Sequence, residues 1–241
     1  NDVWYSEDGV EWIQATESAA FSGRSDASAL VYDGKLWLIG GDFRNDTWYT
    51  TDGSNWIQAS GDPAFTTRNP GIASYGYKLT VLDNKLWTTS GGEGIAWWST
   101  DGTRWHRPEY KPAAQGFPLR VSHTFVTFHD RMWVIGGTNN RVWPNQKKND
   151  VWSSTNGSDW TQVTASAAFP ARYGHASVVF DDKIWVIGGR DGAYNLNDVW
   201  FSPDGKNWTQ ATASADFVPC YRPSCVTYKD KIWLIDGGPE G

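Results

Sequence analysis

NDVWFSPDGKNWTQATASADF occupies Asn197–Phe217, and NDVWYSEDGVEWIQATESAAF occupies Asn1–Phe21. Both stretches hold an Asn-Asp pair, two tryptophans eight residues apart, an Asp-Gly turn signal between them and a closing phenylalanine. The frame recurs as NDTWYTTDGSNW (Asn45–Trp56), GIAWWSTDGTRW (Gly94–Trp105) and NDVWSSTNGSDW (Asn149–Trp160). Between the copies lies a second motif: GKLWLIGG, NKLWTTSGG, DRMWVIGG, DKIWVIGG and DKIWLIDGG, with Trp37, Trp87, Trp133, Trp185 and Trp233. Three tryptophans per repeat account for 15 of the 17 in the chain and leave Trp98 and Trp143 outside the pattern.

The first tryptophans of the copies, Trp4, Trp48, Trp97, Trp152 and Trp200, are separated by 44, 49, 55 and 48 residues. A period of that size marks a repeat architecture rather than a chain of independent domains. Each repeat reads as four short strands. SALVYDGKLWLIGG (Ser28–Gly41) is two apolar runs around an Asp-Gly turn, and the NDVW stretch is a second pair around another turn. No stretch sustains a helical period. Four-stranded sheets repeated about a centre bury their faces on one another as a propeller. The expectation is an all-β, five-bladed β-propeller of four-stranded antiparallel blades, one domain over residues 1–241. The chain begins with an outer strand pair and ends with an inner one, so one blade, holding Trp233 and Trp4, is expected to join the two termini and close the ring.

Composition narrows the partners. A formal charge of -6 with mixed signs argues against nucleic acid or an anionic membrane as the main partner. No apolar run approaches 18 residues, which argues against membrane insertion, and no signal-peptide pattern opens the chain. Two cysteines suit an oxidising, extracellular or periplasmic setting. Cys220 and Cys225 are too far apart to bridge if the chain between them is extended, but a turn at Arg222-Pro223 would allow a small loop disulfide. Three Asn-X-Ser/Thr patterns start at Asn45, Asn156 and Asn207 and matter only in a secreted protein.

These motifs carry a family resemblance. A hydrophobic strand ending in Gly-Gly, a tryptophan seven residues on and another eight later (Gly41, Trp48, Trp56) resembles the kelch repeat. The SxDGxxW turns (Ser6–Trp12, Ser99–Trp105, Ser202–Trp208) are similar to the Asp-box turns of sialidase-type propellers, one residue shorter. The resemblance covers essentially the whole chain and implies the propeller fold. It does not choose an activity, because kelch propellers host scaffolds, lectin-like binders, sugar mutarotases and copper oxidases.

Up-and-down strands a, b, c and d put the a–b and c–d turns on one face and the b–c and d–a connections on the other. The first set is monotonous (YDGK, LDNK, FHDR, FDDK, YKDK). The second differs in every repeat (DFRND, EGIA, TNNRVWPNQKKND, RDGAYNLND). A rigid scaffold with one variable loop face places the binding site on that face. Phe21, Phe65, Phe117, Phe169 and Phe217 share a column read as core packing. Three residues later stand Arg24, Arg68, Arg120 and Arg172, with Cys220 in the fifth copy. They form either a guanidinium ring for a carboxylate or phosphate, or blade contacts to aromatics and carbonyls.

A further column holds Ala27, Tyr77, His123, His175 and Pro223. Two histidines with Asp236 would begin a metal site, but metals want three or four ligands, so no metal or other cofactor is expected. Phe43, Tyr75, Tyr77, Trp143, Tyr173, Tyr194 and Tyr221, with Arg190 and Arg222, look like a surface for sugar rings or a protein anchor. The reading is a monomeric propeller that binds carbohydrate or a protein partner on its variable face. The alternative is a sugar-acid-processing enzyme, a sialic-acid mutarotase by family resemblance. No catalytic residue is assigned: the loop acids Glu93, Glu109, Asp191 and Asp236 cannot be paired from sequence, and no nucleophile elbow occurs.

Overall fold

The computed structural model describes residues 1–6, 11–24, 27–41, 44–60, 77–89, 94–108, 116–139 and 146–235. Among them every regular element is a strand. β1 (Val3–Tyr5) pairs with β2 (Ile13–Thr16). β3 (Ser28–Tyr32), β4 (Lys35–Gly41), β5 (Arg44–Thr50) and β6 (Ile57–Ser60) form a four-stranded sheet. β7 (Lys78–Leu82), β8 (Lys85–Thr89) and β9 (Ala96–Ser99) form a three-stranded one. Two more sheets of four follow, β10 (Thr124–Phe128), β11 (Arg131–Asn139), β12 (Gln146–Ser154) and β13 (Thr161–Thr164), then β14 (Ala176–Phe180), β15 (Lys183–Ile187), β16 (Val199–Ser202) and β17 (Thr209–Thr212). β18 (Ser224–Tyr228) and β19 (Lys231–Ile235) pair last. All pairings are antiparallel and join neighbours in sequence.

The chain falls into two compact units, Asn1–Ser90 with Trp97–Arg107, and Gly91–Ala96 with Pro108–Gly241. The β7–β9 sheet departs from the expected four strands. Its outer strand shrinks to a single bridge, Trp98 to His106, because Pro108 stands where Ala59 and Val163 continue β6 and β13 and has no N–H to give.

The a–b hairpins all turn through two residues at positive φ: Asp33-Gly34, Asp83-Asn84, His129-Asp130, Asp181-Asp182 and Lys229-Asp230. This is the twist-matched hairpin turn, and only the first copy uses glycine. In the four hairpins with fully described side chains, the strand-b tryptophan closes the turn. Trp37, Trp87, Trp133 and Trp185 donate Nε1–H to the carbonyls of Tyr32, Leu82, Phe128 and Phe180 at 2.8–3.1 Å. Trp98, which the repeat pattern had left over, takes the place of Tyr49 and Phe201. Each of these rings lies against the strand-b tryptophan and carries a lysine, Lys35, Lys85 or Lys183, over its face.

The SxDGxxW turns join one sheet to the next. Thr50, Ser99 and Ser154 accept the N–H groups two and three residues on, and the carboxylate or amide oxygen of Asp52, Asp101, Asn156 and Asp204 accepts the next pair. Trp56, Trp105, Trp160 and Trp208 then donate to the turn glycine's carbonyl. That glycine has two duties. Gly102 and Gly205 sit at φ 69° and 71°, and a Cβ on either would lie 2.0–2.1 Å from the ring of Trp37 or Trp133 in the neighbouring sheet. At these two turns the tryptophan of one sheet is seated on the glycine of the next, whereas a Cβ on Gly53 would meet only Ala15, at 3.9 Å.

Burial opposes the charge on Asp101 and Asp204. The N–H groups of Arg104 and Thr103, and of Asn207 and Lys206, outweigh it and hold each carboxyl at about 2. In an unfolded chain these groups titrate near 3.9. Folded pKa values below unfolded ones contribute stability above pH ~4 that is lost as pH falls toward ~2. Asn156 shows that an amide builds the same turn. The double variant Asp101→Asn/Asp204→Asn is therefore expected to keep its fold at pH 7 and lose stability less steeply below pH ~4, read as urea midpoint against pH; equal slopes would refute the assignment.

Candidate functional site: the variable loop face

The arginine column is resolved at three positions, and each guanidinium is engaged inside its own sheet. Arg120 donates Nη1 and Nη2 to the two carboxylate oxygens of Asp150 at 2.6 and 2.9 Å, Nη1 also to the Gly136 carbonyl, and Nε to that of Pro118. Arg172 repeats this with Asp198, Gly188 and Pro170, and Arg24 with Asp46, Gly40 and Ser22. Each sits over a phenylalanine of the shared column, Phe117, Phe169 or Phe21, at 5.4–5.6 Å. The side chains of Arg120 and Arg172 are wholly buried and Arg24 is 3% exposed. These three arginines hold the blade together and offer no free ring for an anion. Arg68 lies outside the described residues.

The carboxylates also accept Nε1–H from the tryptophan two residues on, Trp48, Trp152 or Trp200. Burial works against the charge of Asp46 and of Asp150, and the paired arginine overcomes it, leaving both below the ordinary carboxylate range. The Asn of NDxW donates to the carbonyls before and at the column phenylalanine, as Asn149 does to Ala167 and Phe169. Phe21, Phe117 and Phe169 meet Trp56, Trp160 and Trp208 edge to face at 4.9–5.0 Å, which bears out the core reading at these three positions; Phe217 is half-buried and Phe65 lies outside the described residues. The second repeat tests the rule by breaking it. Ile95 stands in the aspartate's place, and the Nε1 of Trp97 is buried with no acceptor.

Other expected site residues are also structural. Tyr77 is 5% exposed and covers Gly40, where a Cβ would come within 2.4 Å of its ring. His123 and His175 are 2% and 4% exposed. His175 Nε2 is 3.0 Å from the Thr124 hydroxyl, which meets Ser177 at 2.7 Å. Both residues pack against Gly-Gly backbones, the His175 ring on Gly136 and the Cβ atoms of His123 and His175 on Gly137 and Gly189, so these glycines have no room for a Cβ. Among the described residues no three His, Cys, Asp or Glu side chains converge on a metal position. Cys220 and Cys225 are not joined in a disulfide, so the small loop bridge considered from the sequence is not formed. Burial, then its neighbour Cys220, pushes the Cys225 thiol up to about 12, so it is not activated. Phe43, Tyr75, Trp143 and Asp236 lie outside the described residues.

Tyr173, Arg190, Tyr194, Tyr221 and Arg222 gather at the variable end of the larger unit. Tyr173 and Arg190 exchange backbone hydrogen bonds at 3.1 and 2.9 Å, as Val121 and Thr138 do one sheet earlier. This pairing puts the d–a connection and the b–c loop at one end. The Tyr173 and Tyr221 rings meet edge to face at 5.6 Å, and the Arg222 guanidinium lies 5.0 Å over Tyr221. Tyr194 is 74% exposed at the tip of a turn in which Asp191 Oδ1 accepts the N–H groups of Ala193 and Tyr194.

Sequence reasoning missed the feature that aligns these loops. Ser122, Gly174 and Arg222 occupy one column at φ 53°, 60° and 59°. The Gly174 N–H bonds the Ser122 carbonyl at 2.8 Å, and the Arg222 N–H bonds the Gly174 carbonyl at 2.7 Å. The result is a backbone belt across three consecutive sheets. The glycine at 174 is the one sequence signal for it, since Ser122 and Arg222 do not announce a left-handed backbone. At the opposite end an open groove of about 640 Å³ lies between the β14–β15 and β18–β19 turns, lined by Val179, Phe180, Asp181, Thr227, Lys229 and Asp230.

Removing one partner of a buried, bidentate pair strands the other. Arg120→Met or Asp150→Asn is expected to cost about 3–5 kcal/mol in chemical denaturation. A cost under ~1 kcal/mol would mean that the pair does not hold the sheet.

The family model for the KLHDC2/KLHL20/DRC7 Kelch-repeats domain matches residues 76–241. No curated protein matches the chain. With its Gly-Gly strand ends, its paired tryptophans and this match over more than half its length, the chain belongs to the kelch-repeat family.

Proposed function

We propose that this chain is a protein-interaction propeller that engages its partner through the b–c and d–a loops. Kelch-repeat domains generally mediate protein interactions. The observation that carries the loop-face reading is Tyr194, 74% exposed on a turn fixed by two Asp191 hydrogen bonds and a Tyr194 carbonyl bond to the Asp191 N–H. A large ring presented on a rigid tip is a ready-made anchor, with little entropy left to lose on binding. Arg190 bridges to Asn195 on the same loop and to Tyr173, whose ring meets Tyr221, which in turn lies under Arg222.

The test is affinity capture of partners from native extract, comparing wild type with Tyr194→Ala/Arg222→Glu and with Lys229→Glu on the opposite turn face. A partner retained by wild type and Lys229→Glu but lost by the loop variant is the expected outcome. Loss through Lys229→Glu alone would move the site to the other face, and thermal stabilisation by a neutral sugar, abolished in the loop variant, would replace the protein reading.

We further propose that the five repeats close one ring, with β1–β2 and β18–β19 as halves of a single blade. Trp4 and Trp12 are 48% and 54% exposed, whereas Trp152 and Trp160, their counterparts in a complete sheet, are 8% and 5%. On β18–β19, Val226 and Ile235 are 49% and 51% exposed. Both half-blades thus present surface that a complete blade covers. If they join, Trp12→Ala is expected to destabilise the protein by about 3 kcal/mol or more, as for a buried aromatic. A loss below ~0.5 kcal/mol would leave Trp12 a surface residue and the halves apart.

A further inference from the structure

We propose that Asn156 is a modification site: its side-chain amide is lost by attack of the Gly157 nitrogen, and the product breaks the turn after β12. Asn156-Gly157 is the single Asn-Gly step in the chain. Glycine has no Cβ to crowd its own nitrogen as that atom approaches the asparagine Cγ. Asn156 is exposed, so water reaches the amide. A bond forms between the Gly157 nitrogen and Asn156 Cγ, the Cγ–Nδ2 bond breaks, and ammonia leaves carrying the proton of the Gly157 N–H. Water then opens the cyclic imide at either carbonyl and gives aspartate or isoaspartate. The sum is water in and ammonia out.

The surroundings of Asn156 set both the rate and the consequence. The Gly157 N–H donates to Ser154 Oγ at 2.9 Å, and Ser154 is 1% exposed. Attack waits for that bond to open, which makes Ser154 the gate. The consequence comes from a reversal found in this turn. Asp52 and Asp204 accept the side-chain amides of Asn55 and Asn207 at 2.7 Å, and Asp101 has Arg104 at the same place. Here the order is swapped, and Asn156 Nδ2 donates to Asp159 Oδ2 at 2.8 Å. An aspartate at 156 keeps the acceptor for the turn N–H groups but sets two carboxylates against each other. Isoaspartate does more, because it inserts a methylene into the backbone ahead of Gly157. The Gly157 carbonyl accepts the N–H of Ala96 at 2.9 Å and Nε1–H of Trp160 at 3.1 Å. Those bonds hold the head of β9 and the approach to β13, and both move with the glycine.

The test ages the purified protein at mildly alkaline pH and reads its peptides by mass spectrometry with electron-transfer fragmentation, which separates aspartate from isoaspartate. Wild type, Ser154→Ala, Asn156→Asp and Asn156→Asp/Asp159→Asn are compared. Conversion is expected at Asn156 well ahead of Asn55 and Asn207, since tryptophan follows each of those. Ser154→Ala is expected to speed it about fivefold, the weight of one hydrogen bond. Unaged Asn156→Asp is expected to melt below wild type. Adding Asp159→Asn is expected to restore the melting temperature, because it recreates the order of Asp52 and Asn55. Aged wild type enriched in isoaspartate is expected to melt lowest. Conversion at Asn156 no faster than at Asn55 or Asn207 overturns the proposal, as does an unchanged rate in Ser154→Ala. Asn156→Asp and aged protein that both melt with wild type would show that the product leaves the turn intact, which overturns its consequence.

Discussion

A guanidinium enters the interior of a sheet only with its charge matched and its donors occupied. In this protein the repeat is organised around that demand. Arg120 needs Asp150, the Gly136 carbonyl and the Pro118 carbonyl at once, and these come from strand c, the end of strand b and the connection before strand a. Satisfying one side chain therefore brings three segments of the repeat to one point. Trp152 and Phe117 complete the site, one donating to the carboxylate and the other lying under the cation. The first glycine of the Gly-Gly pair follows from the same crowding, because the residue whose carbonyl meets the arginine lies against a side chain of the neighbouring sheet: Tyr77 over Gly40, His175 over Gly136 and Cys220 over Gly188.

A second fitted pair joins neighbouring sheets at two places, Trp37 on the turn glycine Gly102 and Trp133 on Gly205. Together with the belt of left-handed residues at the other end, it keeps the connections in register. Loops mounted on such a frame can differ in length and chemistry without disturbing it. That is why conserving geometry within one chain and varying chemistry at one end are compatible, and why the exposed Tyr194 and the unpaired Arg190 stand at the variable end.

The departures from the repeat are as informative as the agreements. Ile95 replaces the aspartate of NDxW, and an indole N–H is left buried without an acceptor. Cys220 replaces the arginine, and its sulfur fills the space over Gly188. Pro108 ends an outer strand after a single bridge. Each change removes one contribution and leaves the sheet standing, because stability is summed over several repeated contacts.

Much of the fold was legible from residue type alone. Five copies of two tryptophan motifs, turn signals at matching places and strand-length apolar runs sufficed for an all-β repeat protein with four-stranded sheets, because side-chain periodicity and turn chemistry act locally. The phenylalanine column was legible as core for the same reason. The roles of Arg24, Arg120 and Arg172 were not, since a free guanidinium and a paired one have the same letter, and the pairing aspartate lies 22 to 30 residues away. Tyr77 read as a surface aromatic until the space over Gly40 was known to be its seat. Ser122 and Arg222 gave no sign of positive φ, which the neighbouring sheet imposes through a backbone hydrogen bond. Sequence determined what repeats; tertiary structure decided which polar groups the repeat pairs and which, like the Arg190 Nε, it leaves without a partner, because burial and pairing are properties of position and not of composition.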